Sequence, residues 1–215
     1  MVNLDAMERK TSLSPKARNA AGAIAVVVIA TMVAQTWVDL IEGKSLLGAI
    51  WHQVRYFTNL CVLFTGLMFG ASFLRNRWVG GDWTTAAMVL MVMVAVVYYA
   101  LLAKDHHPEG LDVLVNISQH TGIPLLVLAV WAIWIPKDGL CYLDPLRWMA
   151  FPVIYACYAI LRGTIDGTYP YFFLNPEKTG WPGVVAYIVG IAVAYYIISA
   201  FFILYARWQT RLRTV

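Results

Sequence analysis

Six apolar runs, each close to the length a helix needs to cross a bilayer, leave this chain little choice of fold. About 20 mainly apolar residues carry a helix across roughly 30 Å of hydrocarbon. The windows 20–41, 56–74, 83–103, 113–135, 148–161 and 183–206 qualify. With 60% of its 215 residues hydrophobic and 13% charged, the chain holds more apolar surface than a water-soluble core of this size absorbs. The fifth window is the shortest, and Pro152 falls inside it. The first follows a polar tail, 1–19, and reads as a retained span instead of a signal peptide. The expected architecture is all-α: one six-helix transmembrane domain over 1–215, without internal repeats and with loops too short for a second domain. Ser45 is a candidate helix cap, and 46–57 contains no breaker besides Gly48, so the second helix is expected to start near Ser45 and project beyond the bilayer.

Charge sets the expected orientation. Arg9, Lys10, Lys16, Arg18, Arg75, Arg77, Lys137, Arg147, Arg207, Arg211 and Arg213 fall on one side of the six spans. Only Lys44, Arg55, Lys104, Arg162 and Lys178 fall on the other. Positive-inside bias then puts both termini in the cytoplasm. The net charge of +4 is spread over span ends, which suits a membrane surface better than nucleic acid. Cys61, Cys141 and Cys157 have no metal or redox spacing. Trp78, Trp83, Trp131, Trp134, Trp148 and Trp181 lie near predicted boundaries and read as an aromatic belt.

Strongly polar side chains inside spans are costly and face an interior or a partner. At about 1.5 Å per residue, Gln35, Thr58, His120 and Arg162 lie roughly 22–25 Å above the cytoplasmic ends of their helices. Four helices are therefore expected to present polar groups in one layer near the outer boundary. All four histidines, His52, His106, His107 and His120, fall on that side. His106, His107 and Lys104 read as interfacial loop residues. At about 100° per residue, Arg55, Thr58, Asn59 and Thr65 share one face of the second helix, and Asn116, Gln119 and His120 share one of the fourth. Tyr155, Tyr158, Arg162 and Asp166 line one face of the fifth, where Arg162 and Asp166 are spaced to pair.

A hydroxyl beside an imidazole is the minimum for nucleophilic catalysis, with a third group to orient the base. Thr58 and His120 are the candidate pair. Asn59, Asn116 and Gln119 are candidate oxyanion donors, and Arg55, Arg162 and Asp166 candidate headgroup-binding residues. A zinc site needs about three converging ligands, and only His120 is well inside a span. Paired haem-binding histidines are lacking. No metal or other cofactor is expected.

The stretch Arg55-Tyr56-Phe57-Thr58-Asn59-Leu60, with His120-Thr121 and Pro124 in the fourth span, resembles the androgen-inducible integral-membrane hydrolases. Members of that family cleave fatty acid esters of hydroxy fatty acids with a membrane threonine and histidine. The stretch from Arg162-Gly163 through Thr168-Tyr169-Pro170-Tyr171 to Leu174 is similar to the signature of the bacterial branch. The resemblance covers nearly the whole chain and implies Thr58 as nucleophile and His120 as base. Asn116-Ile117-Ser118-Gln119 departs from the animal members, which tend to have an additional histidine there.

The expectation is thus an intramembrane lipid-ester hydrolase, taking a lipid substrate from the outer leaflet of a bacterial cytoplasmic membrane. Nucleic acid is not an expected partner. The alternative is a non-enzymatic lipid-binding protein, or a small transporter of a weak acid, whose polar layer holds a headgroup. Pro124 and Pro152 would then interrupt two helices, as broken helices do in transporters. Tyr169-Pro170-Tyr171 reads as a structural lid segment at headgroup level.

Overall fold

The computed structural model describes residues 12–213, and its regular structure among them is helical throughout, with no strand. Arg9 and Lys10 of the basic tail lie outside the described residues, as does the side chain of Arg213. Six helical stretches are long and apolar enough to cross a membrane: Pro15–Ile41, Phe57–Arg75, Gly81–Leu102, Leu111–Trp134, Asp144–Asp166 and Pro176–Leu212. They identify a multi-pass membrane protein. Each contains one of the expected windows, apart from one residue at three of the ends.

In order, the elements are α1 (Pro15–Ile41), α2 (Leu46–Gln53), α3 (Phe57–Arg75), α4 (Gly81–Val97), α5 (Leu111–Ile117), α6 (Ile123–Trp134), α7 (Asp144–Trp148), α8 (Ala150–Asp166) and α9 (Pro176–Arg213). A π-helical turn, Tyr98–Leu102, extends α4, and a second, Ser118–Gly122, joins α5 to α6. The residues form two compact units, one comprising residues up to Gly43 with Thr58–Pro136, the other Lys44–Phe57 with Lys137–Val215.

In the first unit, Ser14 caps α1 by accepting from the Ala17 N–H at 3.2 Å, so the helix begins at Pro15 and the tail is shorter than expected. Helix α4 packs against α6, and α1 against α5 and α6. Thr84 to Met91 are all buried, so α4 has no lipid face over two turns. Its threonines satisfy themselves on upstream carbonyls, and Thr85 also accepts from Trp131 Nε1 at 2.9 Å. Trp131 is therefore a core residue at 1% exposure, and Trp148 is buried as well, whereas Trp83 and Trp181 stay exposed as a belt requires. At Gly66 the backbone of α3 comes so close to Val28 of α1 that a Cβ would collide with its methyl group, the small-residue contact typical of helix pairs in lipid. On the opposite side of α1, Val26, Ile29, Val33 and Trp37 are exposed. An apolar stripe facing outward is what a helix presents to hydrocarbon.

The second unit corrects one expectation about helix continuity and bears out another. Ser45 does cap a helix, accepting from the Gly48 N–H at 3.1 Å, but that helix is α2 alone and ends at Gln53. The chain breaks before α3 because tyrosines take over the backbone groups. Tyr155 donates its hydroxyl to the Arg55 carbonyl at 2.7 Å, and Tyr171 accepts from the Phe57 N–H at 3.0 Å. Arg55 thus lies outside α3 and does not share a helical face with Thr58. Pro152 does interrupt the fifth span: it has no N–H for the Trp148 carbonyl, and the helix parts at Met149 into α7 and α8, with Pro152 in the first turn of α8. Helix α9 is kinked at Gly180, whose φ of 69° and ψ of 161° are non-helical, and Pro182 restarts it.

Helix α8 stays regular through Gly163 to Asp166 and ends at Gly167 in the left-handed region. A Cβ on Gly163 would collide with the ring of Tyr169. Gly163→Ala is therefore expected to cost about 1–3 kcal/mol of stability by overpacking. Thermal unfolding in detergent should show the loss, and the penalty should shrink in a Tyr169→Ala background.

Candidate active site

The first unit brings Thr58 and His120 together. Thr58 Oγ1 lies 3.4 Å from His120 Nε2, and the two residues are 9% and 8% exposed. Thr58 occupies the first turn of α3, where backbone N–H groups lack intrahelical acceptors and the helix dipole favours negative charge.

His120 owes its position to Pro124. In a regular helix the N–H at 124 would bond the carbonyl at 120; proline has no N–H, and its ring clashes with that carbonyl. The backbone widens into the π turn, closed by the Ile123 N–H on the Ser118 carbonyl. Such turns recur at functional sites because they re-aim side chains. Pro124 therefore shapes a continuous helix and does not break it.

Each residue from Ser118 to Thr121 then has a partner on another element. Ser118 shares a hydrogen bond of 2.6 Å with Thr31 of α1. Gln119 Nε2 donates to Asn59 Oδ1 of α3 at 2.8 Å. The His120 ring stacks on Tyr98, with centroids 3.8 Å apart and 18° between planes, and Thr121 shares a bond of 2.6 Å with Tyr99. Tyr98 and Tyr99 open the other π turn, so the two widened turns hold each other.

Asn116 orients the imidazole. Its Oδ1 is 2.6 Å from His120 Nδ1, and its backbone carbonyl 3.1 Å. A carbonyl only accepts, so Nδ1 carries the proton and Nε2 faces Thr58 with its lone pair. That is the tautomer a general base requires. Asn116 Nδ2 donates onward to the Tyr98 hydroxyl at 2.7 Å, and that hydroxyl lies 3.3 Å from His106 Nδ1.

Of the three candidate oxyanion donors, Asn116 thus serves the base, and Asn59 and Gln119 bond each other. Tyr98 and His106 were missed because a tyrosine in a span and a histidine in a loop carry no signal of their own. His106 is exposed, as an interfacial residue should be, but it is tied to the buried pair.

Arg55, Arg162 and Asp166 form a separate cluster in the second unit. Arg162 and Asp166 pair at 3.3 Å as their spacing predicts. The stronger partner of Asp166 is Arg55, bound through two nitrogens at 3.0 and 2.8 Å. Arg55 also donates to the Thr168 carbonyl. Arg162 donates to the Tyr158 hydroxyl at 2.7 Å and the Trp51 carbonyl at 2.8 Å, with its guanidinium 3.9 Å above the Trp51 ring. At 5% exposure, its donors are spent on the protein.

Arg162→Leu is expected to lower stability by roughly 2–4 kcal/mol, since it orphans the Trp51 carbonyl and the Tyr158 hydroxyl and leaves the cation–π contact unmade. Denaturation in mild detergent measures this. A headgroup ligand would behave differently, raising KM for an acidic lipid with little loss of stability.

No family model matches the chain, and neither a curated protein nor a solved structure matches it. The chemistry of the site rests on its own geometry. Among the described residues no group of three or more His, Cys, Asp or Glu side chains is placed to hold a metal ion.

Proposed function

We propose that the protein is an intramembrane lipid-ester hydrolase with Thr58 as nucleophile and His120 as general base. The observation that carries this reading is a buried hydroxyl facing the bare nitrogen of an imidazole whose other nitrogen is held by Asn116. Nucleophile, base and orienting group stand in the order that activates a weak nucleophile. A separation of 3.4 Å is long for a hydrogen bond, and such contacts tighten when substrate is bound.

The Thr58 oxygen attacks the ester carbonyl carbon while its proton passes to His120 Nε2. First-turn N–H groups of α3 after Phe57, whose own is taken by Tyr171, are the donors this reading assigns to the developing oxyanion. Collapse of the tetrahedral intermediate breaks the bond to the alkoxy oxygen, which takes the proton from His120 and leaves as an alcohol. Water then gives a proton to the same nitrogen and attacks the acyl-threonine, releasing a carboxylic acid and restoring Thr58. In each step the imidazolium that forms is balanced by the oxyanion beside it, so the net charge of site and substrate stays at zero, as a site inside a membrane demands.

Resemblance to the androgen-inducible integral-membrane hydrolases supports fatty acid esters of hydroxy fatty acids, or related long-chain esters, as substrates. The basic residues support an orientation with both termini cytoplasmic and the pair toward the outer leaflet of a bacterial cytoplasmic membrane. Incubating the purified protein with such an ester, and following free acid release by mass spectrometry, tests the activity. The reading expects turnover that disappears in Thr58→Ala, and turnover that survives this substitution overturns it.

A further inference from the structure

Five side chains lie in one hydrogen-bonded line: Thr58, His120, Asn116, Tyr98 and His106. The separations are 3.4, 2.6, 2.7 and 3.3 Å. In the arrangement above, every proton points the same way. Thr58 O–H faces Nε2, Nδ1–H donates to Asn116 Oδ1, Asn116 Nδ2 donates to Tyr98, and the Tyr98 hydroxyl donates to His106 Nδ1. That last bond requires Nδ1 of His106 to be an acceptor. A second arrangement satisfies the same contacts with each proton reversed, because an amide, a hydroxyl and an imidazole can each exchange donor for acceptor. Nδ1–H of His106 then donates to Tyr98, Tyr98 donates to Asn116 Oδ1, and Asn116 Nδ2 donates to His120 Nδ1. The proton of His120 moves to Nε2, which faces Thr58 as a donor and no longer as a base.

We propose that Asn116, Tyr98 and His106 are positioning residues that set the His120 tautomer, so that the exposed His106 controls from outside the site whether Nε2 meets Thr58 bare. This rests on the hydrolase reading for its effect on activity, though not for its effect on the tautomer. The forward arrangement has one additional bond, from Nδ1–H to the Asn116 backbone carbonyl at 3.1 Å, and prevails while His106 accepts. Protonating His106 makes both of its nitrogens donors and drives the chain to the reversed form. A His106 that can only donate therefore switches the site off.

The charged groups around His106 bear on its protonation. Lys104, Asp105 and His107 share its turn. Asp112 of α5 interacts with it electrostatically, and Asp39 of α1 and Glu42 beyond its end interact with Asp112. Tyr98 places its ring edge-on at 5.9 Å.

The test replaces His106 by groups of fixed sense. His106→Glu only accepts, His106→Lys only donates, and the position is exposed enough to take either. Histidine 15N resonances, with His120 assigned by loss in His120→Gln, report which ring nitrogen carries the proton at a pH where His120 is neutral. Parent and His106→Glu should both show Nδ1–H. His106→Lys should show Nε2–H, and its rate of labelling by a fluorophosphonate should fall on the order of tenfold or more, since a wrong tautomer disables the base.

Adding Tyr98→Phe keeps the stacked ring but cuts the line, so His106→Lys should then leave Nδ1–H in place. An unchanged His120 tautomer in His106→Lys, or the same change with and without Tyr98→Phe, overturns the proposal; the latter would mark a through-space effect of charge. A parent that shows the tautomer switch but never labels refutes the hydrolase reading alone. A parent labelled on Thr58 without the switch refutes this inference alone.

Discussion

Thr58→Ala and His120→Ala are each expected to lower ester hydrolysis by about 10³-fold or more, because a nucleophile and its base act as a unit and removing either forfeits nearly the whole effect. The double substitution should cost little beyond either single one. Thr58→Ala removes only a hydroxyl and a methyl, so its expression and thermal stability should stay near those of the parent, whereas His120→Ala also loses the ring stacked on Tyr98 and should melt somewhat lower. Thr58→Ser retains the hydroxyl but not the methyl that restricts its rotamer, and partial turnover should remain. Steady-state rates on a long-chain ester, measured beside melting curves for each variant, separate loss of chemistry from loss of fold. A lipid-binding protein would instead show a modest change in affinity with Thr58→Ala and no rate to lose.

The second large effect belongs to Asn116. Asn116→Leu removes the side-chain acceptor at 2.6 Å from His120 Nδ1, leaving the backbone carbonyl alone to hold the proton there. A base in the wrong tautomer or orientation costs up to about 10⁴-fold, and the remaining carbonyl contact places the expected loss at roughly 10²- to 10³-fold. Asn116→Asp should behave oppositely. A carboxylate accepts from Nδ1–H at least as well, and the Tyr98 hydroxyl can turn to donate to it, so most activity should survive. Loss of equal size in both variants would show that Asn116 matters for packing alone.

The sequence carried the spans because apolar run length is a direct response to the thickness of hydrocarbon, and no packing detail alters it. It carried Thr58 and His120 because a buried polar residue in a span needs a reason to be there. What it did not carry were features decided by side chains arriving from far along the chain. The break at Val54–Tyr56 depends on Tyr155 and Tyr171, about 100 residues downstream, so 46–57 alone read as continuous helix. Asn116 looked like a donor to substrate because its distance from His120 by sequence gives no sense of which way an amide is turned. The π turn at Ser118–Gly122 was legible in principle, since Pro124 must displace the carbonyl at 120. Trp131 shows the opposite failure: proximity to a boundary suggested an interfacial ring, but Thr85, in the buried stretch of α4, draws its N–H inward.

Arg162 marks a similar limit. Its span and depth were evident, but whether a guanidinium serves a ligand or the protein depends on what else reaches it. Here a backbone carbonyl, a tyrosine and an aspartate do.

The most direct measurement is to label the purified protein in detergent with a fluorophosphonate, digest it and locate the adduct by mass spectrometry. The account predicts one phosphonylated residue, Thr58, formed in the parent, slowed in Asn116→Leu and absent in His120→Ala. An adduct on another residue, or labelling of Thr58 that persists unchanged in His120→Ala, would contradict it.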